Sequence, residues 1–130
     1  DLIKLPNIGW RKVFTDKKNL ENLNSIFDKE YYFVHSFHVN CSNPSTILAT
    51  CNYGHEFTCA ARQENIWGVQ FHPEITPAIV AEWAVVGHEE LSKFGVDPES
   101  IVSETVDRHA EARQQAKRLV DWFLGDRFLE

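Results

Sequence analysis

The side chains in this 130-residue sequence most suited to chemistry fall together at Gln70-Phe71-His72-Pro73-Glu74. An imidazole exchanges a proton near neutral pH. A carboxylate two residues on can accept a hydrogen bond from one ring nitrogen, fix the tautomer and stabilise the imidazolium, leaving the other nitrogen to face a nucleophile. His72 and Glu74 are thus candidates for a general base and the acid that orients it. Alternation along residues 65–72 places Trp67, Val69 and Phe71 on one face and Gly68, Gln70 and His72 on the other, which predicts a strand inside a sheet. Pro73 has no ladder donor and ends it. The same spacing also suits a strand-end histidine with structural partners only, Glu74 being drawn to the positive end of a helix that starts near Thr76.

Other chemistry-bearing groups are weaker candidates. His35, His38 and Cys41 include metal-ligating types, but on one strand His35 and His38 point to opposite faces, so no metal site is expected. Cys51 and Cys59 flank a predicted hairpin and read as small core residues. His88, Glu89 and Glu90 read as a solvated helix face. The aromatic residues Tyr31, Tyr32, Phe33, Trp67 and Phe71 fall in predicted strands and need no base-stacking role. No cofactor is implied.

The elements that must position these groups divide into two kinds. Leu5-Pro6-Asn7-Ile8-Gly9-Trp10 reads as a turn-rich entry. Residues 17–30 carry Leu20, Leu23, Ile26 and Phe27 at helical spacing, a short helix or structured loop. Strands are expected at 31–39, 46–52, 55–62 and 65–72, joined by short turns that favour antiparallel neighbours. Thereafter the pattern is helical. Thr76-Pro77 forms an N-cap and first-turn pair for a helix ending at Gly95, and Asp97-Pro98 opens a second ending near Gly125. Its expected apolar stripe includes Ile101, Thr105, Val106, Ala112, Val120 and Leu124.

Length and composition narrow the function. One compact domain is expected. With 43% hydrophobic and 25% charged residues the chain is of globular type. A net charge of −6 argues against nucleic acid or an anionic membrane surface as the main partner. Three cysteines without a CxxC argue against a disulfide framework or zinc knuckle and fit a reducing cytoplasm. With no methionine, the sequence is expected to be a fragment, a processed piece or an engineered segment. All eight asparagines lie in residues 1–65, where seven acids balance seven bases, while residues 66–130 hold twelve acids against six bases. A seam is therefore expected near residues 66–76.

Gln70-Phe71-His72-Pro73-Glu74 resembles the signature ending of class I, triad-type glutamine amidotransferases. Pro6-Asn7-Ile8-Gly9-Trp10, Tyr32-Phe33-Val34-His35-Ser36-Phe37, Tyr53-Gly54 with Phe57 and Ala60-Ala61, and Asn65 to Glu74 are similar, in order and spacing, to the glutaminase subunits of imidazole glycerol phosphate synthases. The resemblance covers about residues 3–74. It implies an α/β, flavodoxin-like domain, of which this chain is the C-terminal part: antiparallel strands over 1–74, then two helical segments over 75–130. It also implies that a cysteine attacks glutamine, that His72 and Glu74 complete the triad, and that ammonia passes to a synthase partner. His35, Ser36 and Phe37 correspond to the segment beside the glutamine pocket, and Trp10 to a tryptophan near the synthase-facing surface. Such families usually carry histidine at the position of Asn7 and asparagine at that of Arg11.

The family's nucleophile sits on a Gly-x-Cys-x-Gly elbow, which exposes sulfur and offers backbone N–H groups to the oxyanion. None of Cys41, Cys51 and Cys59 has those glycines. The chain alone is therefore expected to be inactive. Residues 75–130 are instead similar to the helical tail of stand-alone amidotransferases related to the glutaminase part of GMP synthases, so either a join of two relatives or one divergent lineage fits. An open sheet edge is expected to leave the isolated chain marginal or self-associating. Two rival readings stand beside the glutaminase fragment: a non-catalytic partner-binding module, and one half of a split enzyme.

Overall fold

A computed structural model describes residues 3–16 and 23–128. The chain divides into two compact units, Asp1–His72 and Pro73–Glu130. The first holds strands β1 (Asn7–Phe14), β2 (Glu30–His35), β3 (Ile47–Asn52), β4 (Glu56–Gln63) and β5 (Ile66–Val69), with a one-turn helix α1 (Leu23–Ile26) between β1 and β2. All neighbours are antiparallel, in the order β2-β1-β3-β4-β5.

Four of these strands follow the hydrophobic pattern, but β1 replaces the expected turn. Pro6 stands just ahead of the strand, where its missing N–H costs no ladder bond. Gly9 enters the ladder opposite Phe33 at φ +121°, a conformation that a side chain would strain. Its register pairs Asn7 with His35 and Trp10 with Tyr32. Strand β2 stops at His35 instead of 39; Val39 makes only an isolated bridge to Thr58 of β4. Strand β5 is an edge strand among the described residues, not an inner one, and Ile66 is 72% exposed. A two-residue turn with Glu64 at φ 55° folds β5 back on β4, and among the described residues no further strand pairs with its outer side. Of the expected helical stretch, residues 17–22, including Leu20, lie outside the described residues.

The sheet is curled, and the segment after β5 shows how tightly. The Gln70 N–H donates to the Cys59 carbonyl of β4 at 2.8 Å, and the His72 N–H donates to the Tyr32 carbonyl of β2 at 2.9 Å. Two residues reach about 7 Å at most, so strands that are not ladder neighbours approach across the curl. Phe71, between those two anchors, is buried. Its ring stacks on Tyr31 at 4.1 Å and meets Phe33 and Phe27 edge-on at 6.0 and 6.5 Å. Phe33 in turn meets Phe57 of β4 edge-on at 5.9 Å. Leu23 and Ile26 of α1 are buried as well.

The second unit comprises α2 (Pro77–Val86), α3 (His88–Lys93) and α4 (Pro98–Phe128). The Thr76 hydroxyl accepts the Ile79 N–H at 3.2 Å, the expected N-cap. The single helix expected up to Gly95 is broken in two at Gly87, which leaves helical geometry while its N–H still bonds the Trp83 carbonyl. Gly95 does terminate α3. At φ +69° it lets Val96 N–H reach the Leu91 carbonyl and its own N–H the Ser92 carbonyl. Asp97 caps α4 through the Glu99 and Ser100 N–H groups at 3.2 and 3.3 Å. Helix α4 continues through Gly125, since one glycine costs about 1 kcal/mol in a helix interior. Its buried face is Ile101, Thr105, Ala112 and Gln115, narrower than the expected stripe. Val106 lies about 140° round the helix from Ile101, and it is exposed, as are Val120 and Leu124.

Truncating the ring at the centre of the curl, Phe71→Ala, is expected to cost roughly 3–5 kcal/mol in urea denaturation. Thr76→Ala, which removes one cap, should cost about 1 kcal/mol. Equal, small losses for both would refute the central place given to Phe71.

Candidate active site

His72 follows directly from the curl. Its backbone is tied to Tyr32, three residues before His35, and its side chain is half-buried. His72 and His35 are close enough for charge on one to be felt by the other. The backbone tie thus brings residue 72 to the strand that ends at His35, 37 positions earlier. Glu74 is exposed, in the turn that precedes α2, and belongs to the second unit.

His35 is held from two sides. The Asn7 Nδ2 lies 3.0 Å from its Nε2, and its Nδ1 lies 3.0 Å from the Phe37 carbonyl oxygen. Its ring also rests against Phe57 at 5.1 Å and Phe33 at 5.7 Å. Burial lowers its pKa below the ordinary 6.5. The Phe37 carbonyl opposes that shift, and His38 and His72 add to it. Ser36 and Phe37, the other expected substrate contacts, are exposed, Phe37 by 87%. The Phe37 carbonyl is already committed to His35. Trp10, expected near a partner, is only 5% exposed, with its ring edge-on to Tyr32 at 5.8 Å.

The alternation argument for His35 and His38 does not apply, because β2 ends before His38 is reached. His38 Nε2 lies instead 3.0 Å from His55 Nε2 in the β3–β4 connection. Among the described residues no three His, Cys, Asp or Glu side chains gather as a metal site would require. Cys51 and Cys59 are buried and free. Burial pushes the Cys51 thiol up to about 11 and the Cys59 thiol higher still, so both are protonated, unreactive thiols at neutral pH.

The Asn7–His35 contact is the feature that sequence reasoning missed. With Asn7 assigned to a turn, nothing placed it opposite His35. The only signal was an amide where the family it resembles carries histidine.

Two outcomes are expected. An aromatic disulfide reagent should label Cys41 in the native protein and all three cysteines in urea; rapid native labelling of Cys51 or Cys59 would contradict their burial. The second concerns pH. Because native His35 binds a proton less readily than the unfolded chain, its share of stability is complete above about pH 6.5 and declines as the pH falls toward the native value. Urea midpoints of His35→Gln should lack that part of the acid loss.

Comparison with known proteins identifies the family. Residues 2–80 match the family described as glutamine amidotransferase class-I. The chain is 43% identical over 74 residues to the imidazole glycerol phosphate synthase subunit HisH of Leptospira borgpetersenii, and 46% identical over 71 residues to subunit HisH 2 of Methanococcus maripaludis. Each match takes in 55% of this chain and 35% of the relative, so the chain spans about a third of the length of these relatives. Among solved structures, a glutamine amidotransferase from Thermotoga maritima matches with a TM-score of 0.78 over 92% of this chain and 51% of that one, at 16% identity, a likeness of fold. The family match covers well over half of the residues, including the whole curled sheet and His72. The chain belongs to the class I glutamine amidotransferases.

Proposed function

We propose that this chain carries the acid–base part of a glutaminase that hydrolyses glutamine to glutamate and ammonia for a synthase partner. The nucleophilic cysteine is supplied from outside these residues. The observation that supports this reading is the backbone hydrogen bond from His72 to Tyr32, three residues before His35 on β2.

In this reading a thiolate attacks the glutamine carboxamide carbon. The C–N bond breaks as His72 delivers a proton to the departing ammonia. The same imidazole then takes a proton from water, which opens the thioester to glutamate and frees the thiol. Glu74 orients His72 and stabilises its imidazolium. The exposed Ser36 hydroxyl and the backbone around Phe37 contact the substrate. Raised thiol pKa values at Cys51 and Cys59 favour a nucleophile from elsewhere.

Glutamate release is the direct test. Residues 1–130 alone should show none. Joined to a Gly-x-Cys-x-Gly-bearing N-terminal portion of a class I glutamine amidotransferase, they should show turnover that His72→Ala lowers by roughly 10²–10⁴. Activity of the chain alone would overturn the proposal, as would a His72→Ala fusion that turns over normally. Activity on simple mixing of the two separate pieces would favour the split-enzyme arrangement; partner binding without any turnover would favour a non-catalytic module.

A further inference from the structure

We propose that Asn7 is a positioning residue that holds His35 as the neutral Nδ1–H tautomer and so keeps a cation away from His72. The consequence for catalysis rests on the glutaminase reading; the tautomer itself does not.

The assignment follows from what each partner can do. The Phe37 carbonyl only accepts hydrogen bonds, so His35 Nδ1, 3.0 Å away, must carry a hydrogen. The Asn7 Nδ2 only donates, so Nε2, also 3.0 Å away, must present its lone pair. A ring that donates from one nitrogen and accepts at the other is neutral. An imidazolium would place two hydrogens face to face at Nε2.

Asn7 is 1% exposed and its other amide atom, Oδ1, has no hydrogen-bond partner among the described residues. Turning the amide over would aim Oδ1 at Nε2, but it would then require a second ring hydrogen and a charge on His35. The orientation adopted leaves an acceptor unmet and suits the uncharged ring. The titratable groups that face His35 act in the same sense: His38 and His72 are both potential cations, and each disfavours a further charge there. Ladder pairing of Asn7 with His35 makes the contact a property of the β1–β2 register, not of a loose surface encounter.

The test is imidazole ¹⁵N NMR on residues 1–130, which separates the two neutral tautomers and the imidazolium without any need for turnover. At pH 7.5 wild-type His35 should show the Nδ1–H tautomer. Asn7→Asp, whose carboxylate can only accept, should convert His35 to the imidazolium at the same pH. Asn7→Leu, which removes the donor to the lone pair, should raise the His35 titration midpoint, and it remains informative if the aspartate variant does not fold. A wild-type ring in the Nε2–H form, or a midpoint unchanged in Asn7→Leu, would overturn the inference. In an active fusion, Asn7→Asp should move the acid limb of kcat/KM to lower pH, because a new imidazolium beside His72 opposes its protonation. A lowered plateau with an unmoved limb would reveal a structural role only. A fusion with no activity at all would count against the glutaminase reading and leave the NMR result standing.

Discussion

Two backbone hydrogen bonds separated by one buried ring hold the first unit in its working shape. Gln70 is tied to β4 and His72 to β2, with Phe71 filling the space between them. A flat sheet in the order β2-β1-β3-β4-β5 would keep β2 and β5 at opposite ends. The curl lets the chain leave β5 and reach β2 within three residues. The aromatic cluster of Phe27, Tyr31, Phe33, Phe57 and Phe71 supplies the reason: these rings become buried together only if the sheet bends round them.

That bend also brings the segment that ends at His72 to β2. His72 ends a segment fixed at Tyr32, and His35 ends the strand that contains Tyr32. Burial of His35 against Phe33 and Phe57 disfavours its charged form, against the opposing pull of the Phe37 carbonyl. Core packing and acid–base behaviour are therefore coupled, and a change in the aromatic cluster would be felt in histidine chemistry. The same low-polarity interior silences Cys51 and Cys59 as nucleophiles.

The helical unit obeys local rules almost throughout. Thr76, Gly95 and Asp97 cap or stop helices through backbone groups a few residues away, interactions that residue type and spacing predict. The exceptions are both glycines. Gly87 breaks a helix and Gly125 does not, because a glycine only weakens a helix and the residues around it decide whether the helix continues.

By itself, the sequence was enough to read the strand and helix periods, the caps, and the Gln70–Glu74 motif that resembles an amidotransferase ending, since these depend on neighbours within a few positions. Only the tertiary structure decided that Asn7 begins a strand, that β5 lies at an edge, that His35 meets both Asn7 and the influence of His72, and that Trp10 is buried. Each of those depends on pairings between residues about 20 to 40 positions apart or on how the sheet bends. No local pattern encodes a ladder partner: β1 follows the turn-forming Pro6 and contains Gly9, and it is a strand because β2 and β3 supply its hydrogen bonds.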